Sequence, residues 1–354
     1  MKPRLLVIEL HHLGDAVMSL PFVRGAQDKF EVHVLCRPAA QGVYELLADP
    51  PRIHAWEPPW SDEQRSGAWQ AVAAARDKGR MLRPLDFASA VCVWADARAE
   101  ILMAETRSTQ RIGFPMNRCN YYAADLPWRR KRRRAGRVLE SFWQATHPGR
   151  PLLSQWLHRE SPRQSHLRCW EQIAGALDFA CDYLVPWVAA PEKNATRHNR
   201  PVLAVHAHAR VPSKQWPLAR WRELLSSTAV ADRFDLLEIL PPETDPVTPE
   251  SARKLQTPDL ASLVAALQGA DAVLCHDSLP AHLASALGKP VVAVFGSGDP
   301  DWFAPWNNRE RVVQQRVCPL HPCIDRCGMD SYLCLEAVGV KDVLSQLERL
   351  NLAA

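Results

Sequence analysis

The chain of 354 residues has little glycine, only 15 residues, and no long apolar run. Its longest uncharged apolar stretches, such as residues 290–298, are well below the ~20 residues that a membrane span needs. The acid Glu9 interrupts the first apolar run, so we expect no secretory signal, whose apolar region takes ~7–15 residues. We therefore expect a cytoplasmic protein, and we expect its 10 cysteines to be reduced.

Sequence motifs of several common enzyme classes are also missing. The chain has no GxxxxGK[ST], no HExxH and no GxSxG, which excludes a P-loop, a zinc peptidase of the HExxH type and a nucleophile elbow. Gly296-Ser297-Gly298 begins like the dinucleotide-binding GxGxxG, but Asp301 stands where the third glycine is required. The sequence therefore gives no support for a nicotinamide cofactor.

The composition and charge indicate a globular protein with two different halves. The apolar fraction of 47% and the charged fraction of 23% are ordinary, and the length predicts about two domains. Residues 1–200 carry 29 Lys and Arg against 21 Asp and Glu, a net +8, whereas residues 201–354 carry 14 against 18, a net −4. The basic half favours an anionic ligand or surface, and no nucleic-acid-binding signature accompanies it.

Short apolar runs alternate with helical patterns, which predicts α/β domains with doubly wound parallel sheets. The strand pattern begins at residues 4–10, and it restarts at 202–207 after a proline-rich segment. We therefore predict a first Rossmann-like domain over residues 1–185, a linker over 186–200 and a second Rossmann-like domain over 201–339. We expect that the last helix, about 340–354, packs back on the first domain.

Two acids occupy equivalent places in the two domains, each after a strand and before a helix. Asp15 follows the first strand, and Asp277 follows the strand at 272–276. Ligands of such sheets bind outside the carboxyl ends of the strands, although either acid can simply cap its helix. Lys214, just before a predicted helix, suits a phosphate group, with a solvated surface lysine as the alternative.

Three segments, in this order, resemble glycosyltransferase family 9, the ADP-heptose:lipopolysaccharide heptosyltransferases. They are LLVIELHHLGDAVMSLP from residue 5, SKQWPLARWREL from residue 213 and CHDSLPAHLASALGKPVVAVFGSGDP from residue 275. The resemblance implies the GT-B fold, an α/β architecture of two Rossmann-like doubly wound domains facing a central cleft. It implies an acceptor in the first domain and a nucleotide-sugar in the second.

The same resemblance implies the reaction and the residues that perform it. The enzyme is expected to invert the anomeric centre, without a metal or other cofactor, as it moves a heptose from ADP-L-glycero-D-manno-heptose to a lipopolysaccharide core acceptor. Asp15 matches the general base. The expected donor-binding residues are Lys214, Asp277, Ser278, Leu279, His282, Thr257, Pro258 and Glu243, and the expected acceptor-binding residues are Gly14, Arg98, Arg129 and Arg130.

Several alternatives remain open at this stage. The chain departs from the family pattern at Leu279, where glycine is usual, and at Gly298, where threonine is frequent. Another acceptor (a protein or a small molecule), a sugar-nucleotide 2-epimerase and a non-catalytic sugar-nucleotide binder are the rival functions. We expect an anionic core acceptor, contact with the cytoplasmic face of the inner membrane and no nucleic acid. We expect no metal, although a cluster of four cysteines is the alternative ligand set: Cys318, Cys323, Cys327 and Cys334.

Overall fold

The chain folds into two compact units. A computed structural model describes residues 2–61, 67–115, 127–161, 164–189, 199–324 and 327–352, with only the backbone of 127–133. The first unit ends at Tyr183 and the second begins at Leu184. The division falls next to the predicted linker, of which residues 190–198 lie outside the described residues.

The first unit is built on a six-stranded sheet in the order β3-β2-β1-β4-β5-β6, with every pair parallel. Its strands are β1 (Arg4–Glu9), β2 (Glu31–Cys36), β3 (Arg52–Ala55), β4 (Ser89–Cys92), β5 (Gln110–Gly113) and β6 (Gln155–Trp156). Its helices are α1 (Leu13–Gln27), α2 (Gln41–Glu45), α3 (Ala68–Leu82), α4 (Ala97–Thr106), α5 (Pro127–Thr146) and α6 (His166–Ala176). The central β1 is buried on both faces, which is why its sequence is almost continuously apolar.

The second unit repeats this plan, with the strand order β12-β11-β10-β7-β8-β9 and parallel pairing throughout. Its strands are β7 (Val202–His206), β8 (Asp235–Leu240), β9 (Arg253–Gln256), β10 (Ala272–His276), β11 (Val291–Val294) and β12 (Val312–Val313). Its helices are α7 (Leu218–Leu225), α8 (Thr228–Ala231), α9 (Leu260–Gly269), α10 (Leu279–Ala286), α11 (Pro300–Phe303), α12 (Leu333–Glu336) and α13 (Val340–Glu348).

Each sheet reverses its winding at its centre, between β1 and β4 in the first unit and between β7 and β10 in the second. At such a switch point the loops that leave neighbouring strands run in opposite directions, so a crevice opens at the carboxyl ends of the strands. This topology confirms the predicted α/β class with two Rossmann-like doubly wound domains. It also shows where each unit can hold a ligand.

The last helix, which we expected to pack back on the first domain, contributes apolar side chains to the core of the second unit. Helix α13 belongs to the second unit, where Val343 and Leu347 are fully buried in the core beside Trp216. The Arg233 guanidinium donates to the carbonyl of Glu348, the last residue of α13, at 2.9 Å. The apolar face of α13 thus completes the core of its own unit. Within the described parts of the chain, no helix combines the length and apolar character of a membrane span.

Candidate functional site

The first candidate site lies at the end of β1. Helix α1 begins at Leu13 with His12, not Asp15, as its N-cap. Gly14 is therefore a helical residue, and Asp15 is the third residue of the helix rather than its cap. The His12 backbone N–H donates to the Asp15 carboxylate at 3.0 Å, which satisfies one amide at the helix start.

The Asp15 carboxyl has an unusual electrostatic environment. Asp15 is only 5% exposed to solvent. Burial and the negative charge of Glu9 raise the pKa of Asp15 to about 6, although His12 and His11 act in the opposite direction. A carboxylate with this pKa is ionised at neutral pH and has a much higher proton affinity than an ordinary aspartate, as a general base requires.

Sequence reasoning missed Glu9, which is 1% exposed at the end of β1. Its Oε1 accepts the His11 backbone N–H at 3.1 Å, and its Oε2 lies 4.0 Å from Nε2 of His166. The Trp94 ring stacks on His11 at 4.2 Å between centroids and lies 4.7 Å from the His166 ring. The signal was present in the sequence, since an acid inside the apolar run LLVIEL predicts a buried charge.

The predicted acceptor residue Arg98 follows β4, the neighbour of β1. It forms a two-pronged ion pair with Asp96, with Nη2 and Nε at 2.5 and 2.8 Å from the carboxylate oxygens. Burial raises the pKa of Asp96, but Arg98 outweighs it and brings that pKa to about 2. The guanidinium also lies 4.9 Å from the Trp60 ring centroid. Arg98 is thus a fixed cation at the carboxyl edge, and the side chains of Arg129 and Arg130 lie outside the described residues.

The second candidate site joins the ends of two neighbouring strands. Lys214 follows β7 and Asp277 follows β10, and Nζ of the lysine lies 3.1 Å from Oδ2 of the aspartate. Asp277 is 4% exposed, while the Lys214 side chain is 22% exposed. The structure therefore brings together two predicted donor residues as an ion pair whose cation remains accessible to a ligand.

Two glycines make room for this pair. A Cβ on Gly298 would lie 2.3 Å from Oδ2 of Asp277, and a Cβ on Gly296 would lie 2.3 Å from the Ser213 carbonyl oxygen. The Ser297 backbone N–H donates to that same carbonyl at 3.1 Å, which ties the end of β11 to the loop that carries Lys214. The segment Gly296-Ser297-Gly298, which begins like a dinucleotide-binding motif, therefore allows a close contact between loops.

Helix α10 continues the second site. Ser278 is its N-cap, but its hydroxyl donates to the His276 carbonyl at 3.3 Å, and Leu279 is the half-buried first helical residue. His282 is buried, and burial lowers its pKa to about 4 even though the charge of Asp277 raises it. His282 is consequently neutral at pH 7 and offers a hydrogen bond rather than a positive charge.

The other predicted donor residues lie farther along the same edge of the sheet. Glu243 is exposed in the loop after β8 with a φ of +59°, and Thr257 and Pro258 follow β9. The Thr257 backbone N–H donates to the Leu240 carbonyl at 3.2 Å. Because β8 and β9 are one and two strands beyond β7, these residues extend the edge that begins at Lys214.

The four C-terminal cysteines are free thiols. Burial, reinforced by Cys327 and Cys334, raises the pKa of Cys323 to about 12, so that thiol stays protonated at neutral pH. Within the ranges that the structure describes, His, Cys, Asp and Glu form no group of three or more that could hold a metal ion.

Comparisons with known proteins address the family. Residues 249–332 match the family model of glycosyltransferase family 9 (heptosyltransferase). Over 113 residues the chain is 36% identical to lipopolysaccharide heptosyltransferase 3 of Escherichia coli, a match that spans 30% of this chain and 30% of that protein.

Two solved structures support the fold over almost the whole chain. The glycosyl transferase family 9 protein of Veillonella parvula DSM 2008 aligns with a TM-score of 0.68 at 13% identity, covering 98% of this chain and 97% of the other. The E. coli heptosyltransferase WaaC with ADP aligns with a TM-score of 0.63 at 14% identity, covering 98% and 99%. These matches confirm the architecture of glycosyltransferases with two Rossmann-like domains.

Proposed function

We propose that this chain is a glycosyltransferase of family 9 and that it transfers a heptose from ADP-L-glycero-D-manno-heptose to a hydroxyl of a lipopolysaccharide core acceptor. The observation that carries the proposal is the pairing of two chemistries on one chain. One unit presents a buried carboxylate with a pKa near 6, and the other presents an accessible lysine held by a buried aspartate. Glycosyl transfer needs both a base and a group that stabilises the leaving diphosphate.

In the proposed reaction Asp15 takes the proton of the acceptor hydroxyl as its oxygen attacks the anomeric carbon of the heptose. The new C–O bond forms while the bond between that carbon and the diphosphate oxygen breaks, so the anomeric centre inverts. ADP leaves with the electron pair, and Lys214 offsets its negative charge. Since the pKa of Asp15 is about 6, about nine-tenths of the carboxyl is ionised and ready to act at pH 7.

The donor assignment places the diphosphate at Lys214 and the start of α10. Amides at a helix start and a lysine together suit a diphosphate. Asp277 orients Lys214 and supplies an acceptor for sugar hydroxyls, while neutral His282 supplies a further polar contact. Glu243, Thr257 and Pro258 extend this edge toward the nucleoside. No metal is required in this scheme, because Lys214 and the helix amides supply the positive potential.

The acceptor assignment rests on charge. Residues 1–200 carry a net charge of +8, and Arg98 is a fixed cation at the carboxyl edge of the first sheet. A lipopolysaccharide core carries phosphate and carboxylate groups, which such a surface attracts. Transfer to this acceptor implies work at the cytoplasmic face of the inner membrane, with Arg129 and Arg130 as further basic residues for that surface.

The first test is calorimetric titration with ADP, UDP and GDP, followed by a transfer assay with ADP-heptose and a core acceptor. We expect ADP to bind most tightly and Lys214→Ala to weaken its binding about tenfold. A matched control is Lys254→Ala, since Lys254 is an exposed lysine on β9 whose ammonium group donates to the carbonyls of Pro249, Glu250 and Ala252. Tighter binding of UDP would remove the ADP-heptose assignment and favour an epimerase or another transferase.

A further inference from the structure

Two buried carboxylates divide the backbone amides of one short turn between them. Glu9 Oε1 accepts the N–H of His11 at 3.1 Å, and Asp15 Oδ2 accepts the N–H of His12 at 3.0 Å. The turn from β1 into α1 is therefore held at both ends by acids, although only one of them faces the proposed chemistry. A buried charge is costly unless something compensates it, so the position of Glu9 requires an explanation.

We infer that Glu9 is a positioning residue of the first site, which fixes the turn that carries Asp15 and places a second negative charge beside it. The inference rests on the proposed role of Asp15 as the base. Glu9 does not touch the acceptor in this scheme. It acts through the turn geometry and through its charge.

Two histidine rings approach the Glu9 carboxylate. His11 Nδ1 lies 3.6 Å from Oε1, and His166 Nε2 lies 4.0 Å from Oε2. Burial lowers the pKa of His166, which favours its neutral form at pH 7, although Glu9 raises that pKa. The Trp94 ring lies beside both histidine rings and completes the enclosure. The negative charge of Glu9 therefore acts on its neighbours with little screening by water.

The other titratable and charged groups around Glu9 and Asp15 do not explain the raised pKa of Asp15. Within the described residues, the titratable and charged groups around Glu9 and Asp15 come from the turn and from the elements near it. They are His11 and His12 in the turn, Cys36 on β2, Tyr44 on α2, Cys92 on β4, Asp96 before α4, Arg98 and Glu100 on α4, and Arg159 and His166 near α6. Burial raises the pKa of Cys36, Cys92 and Tyr44, so these three carry no charge at neutral pH. Glu9 is the main negative charge that raises the pKa of Asp15.

The test compares the pH dependence of kcat/KM in Glu9→Gln, Glu9→Asp and the wild type. Glutamine keeps an oxygen for the His11 amide but removes the charge, so the acid limb should move down by about half a pH unit or more. The plateau should fall about threefold, because a weaker base transfers the proton less readily. Aspartate keeps the charge but is shorter, so its rate should fall while the limb stays near pH 6.

The matched control is Glu31→Gln, which alters a carboxylate of the same sheet at the amino end of β2, where it pairs with Arg4. It should leave the limb in place. An unmoved limb in Glu9→Gln, with equal losses in both Glu9 variants, would reduce Glu9 to a structural role and overturn the inference.

A second measurement needs neither activity nor a folded variant. In wild-type protein with 13C-labelled carboxyl groups, the Glu9 resonance should respond as Asp15 titrates near pH 6, because the two groups interact. A Glu9 resonance that ignores this titration would overturn the inference. If Asp15→Asn remains active, the proposed base is wrong, yet the NMR titration still decides whether Glu9 and Asp15 are coupled.

Discussion

Asp15 and Asp277 follow non-equivalent strands of two sheets with the same topology, since β1 is the first strand of its unit and β10 is the fourth, and their surroundings are opposite. The expectation that the two acids occupy equivalent places is therefore wrong. Each follows a central strand, stands at or near the start of a helix and is almost fully buried. Asp277 has a cation 3.1 Å away in Lys214, whereas Asp15 has a second acid, Glu9, among its neighbours. The fold supplies the position, and the side chains around each carboxylate supply the chemistry.

This difference assigns separate roles to the two carboxylates. A carboxylate beside an ammonium group is held in its charged form and orients its partner, which suits the binding of an anionic ligand. A carboxylate buried beside a like charge is poised to accept a proton. Two acids that look equivalent in the sequence are thus distinguished by the strands that they follow and by the side chains that surround them.

The largest expected effect is a loss of kcat, which distinguishes the first site from the second. Asp15→Asn should lower kcat by about 10²–10⁴-fold, because the amide cannot accept the acceptor proton, and it should leave ADP affinity within about twofold of wild type. Lys214→Ala should instead weaken ADP binding, as tested above. Transfer rates at saturating donor and ADP calorimetry measure the two quantities. Equal loss of ADP affinity in both variants would abolish the distinction between the sites.

The same carboxylate-to-amide change should have opposite effects on stability at the two sites. The folded-state pKa of Asp15, about 6, exceeds the ordinary aspartate value of 3.8, so its ionised form costs free energy at pH 7. Asp15→Asn should therefore raise the free energy of unfolding by about 1–3 kcal/mol at pH 7. Asp277→Asn should lower it by about 1–2 kcal/mol, because Lys214 loses its counter-charge.

The pH dependence of this gain supplies its control. Between pH 6 and about 4 the folded state of the wild type binds more protons at Asp15 than the unfolded state, so acid relieves the cost of the buried charge. The advantage of Asp15→Asn should be full above pH 6 and nearly gone at pH 4. Urea unfolding of both proteins across this range measures it. A gain that does not change with pH would have another origin.

Much of the fold is readable from the sequence because its signals are local. The buried strands are short apolar runs, and the repeated alternation of strand and helix predicts parallel sheets. The packing of α13 is not predictable in this way, because an amphipathic pattern shows which face of a helix is buried but not which surface that face packs against. Only the packing of Val343 and Leu347 beside Trp216 shows that it completes the second unit.

The candidate sites are only partly readable. The positions of Asp15, Lys214 and Asp277 after strands were sufficient to single them out, since carboxyl ends of parallel strands share one edge. The pairing of Lys214 with Asp277 depends on which strands are neighbours in the sheet. The place of Glu9 near Asp15 depends on the conformation of the turn that joins β1 to α1. The helix start at Leu13, two residues before Asp15, also depends on the contact between the His12 backbone N–H and the Asp15 carboxylate.

The smallest expected effect concerns the close packing of Gly298 against Asp277. In Gly298→Ala the new Cβ would lie 2.3 Å from Oδ2 of Asp277, the same oxygen that pairs with Lys214 at 3.1 Å, so the substitution should disturb this ion pair. We expect ADP to bind up to about tenfold more weakly, measured by calorimetry, with kcat reduced less than in Asp15→Asn. The matched control is Gly269→Ala at the end of α9, where a Cβ meets nothing within 4 Å and should leave ADP binding unchanged. If Gly298→Ala binds ADP as the wild type does, then the close packing of Asp277 on Gly298 does not set donor affinity, and the contrast between the two carboxylates rests on Lys214 alone.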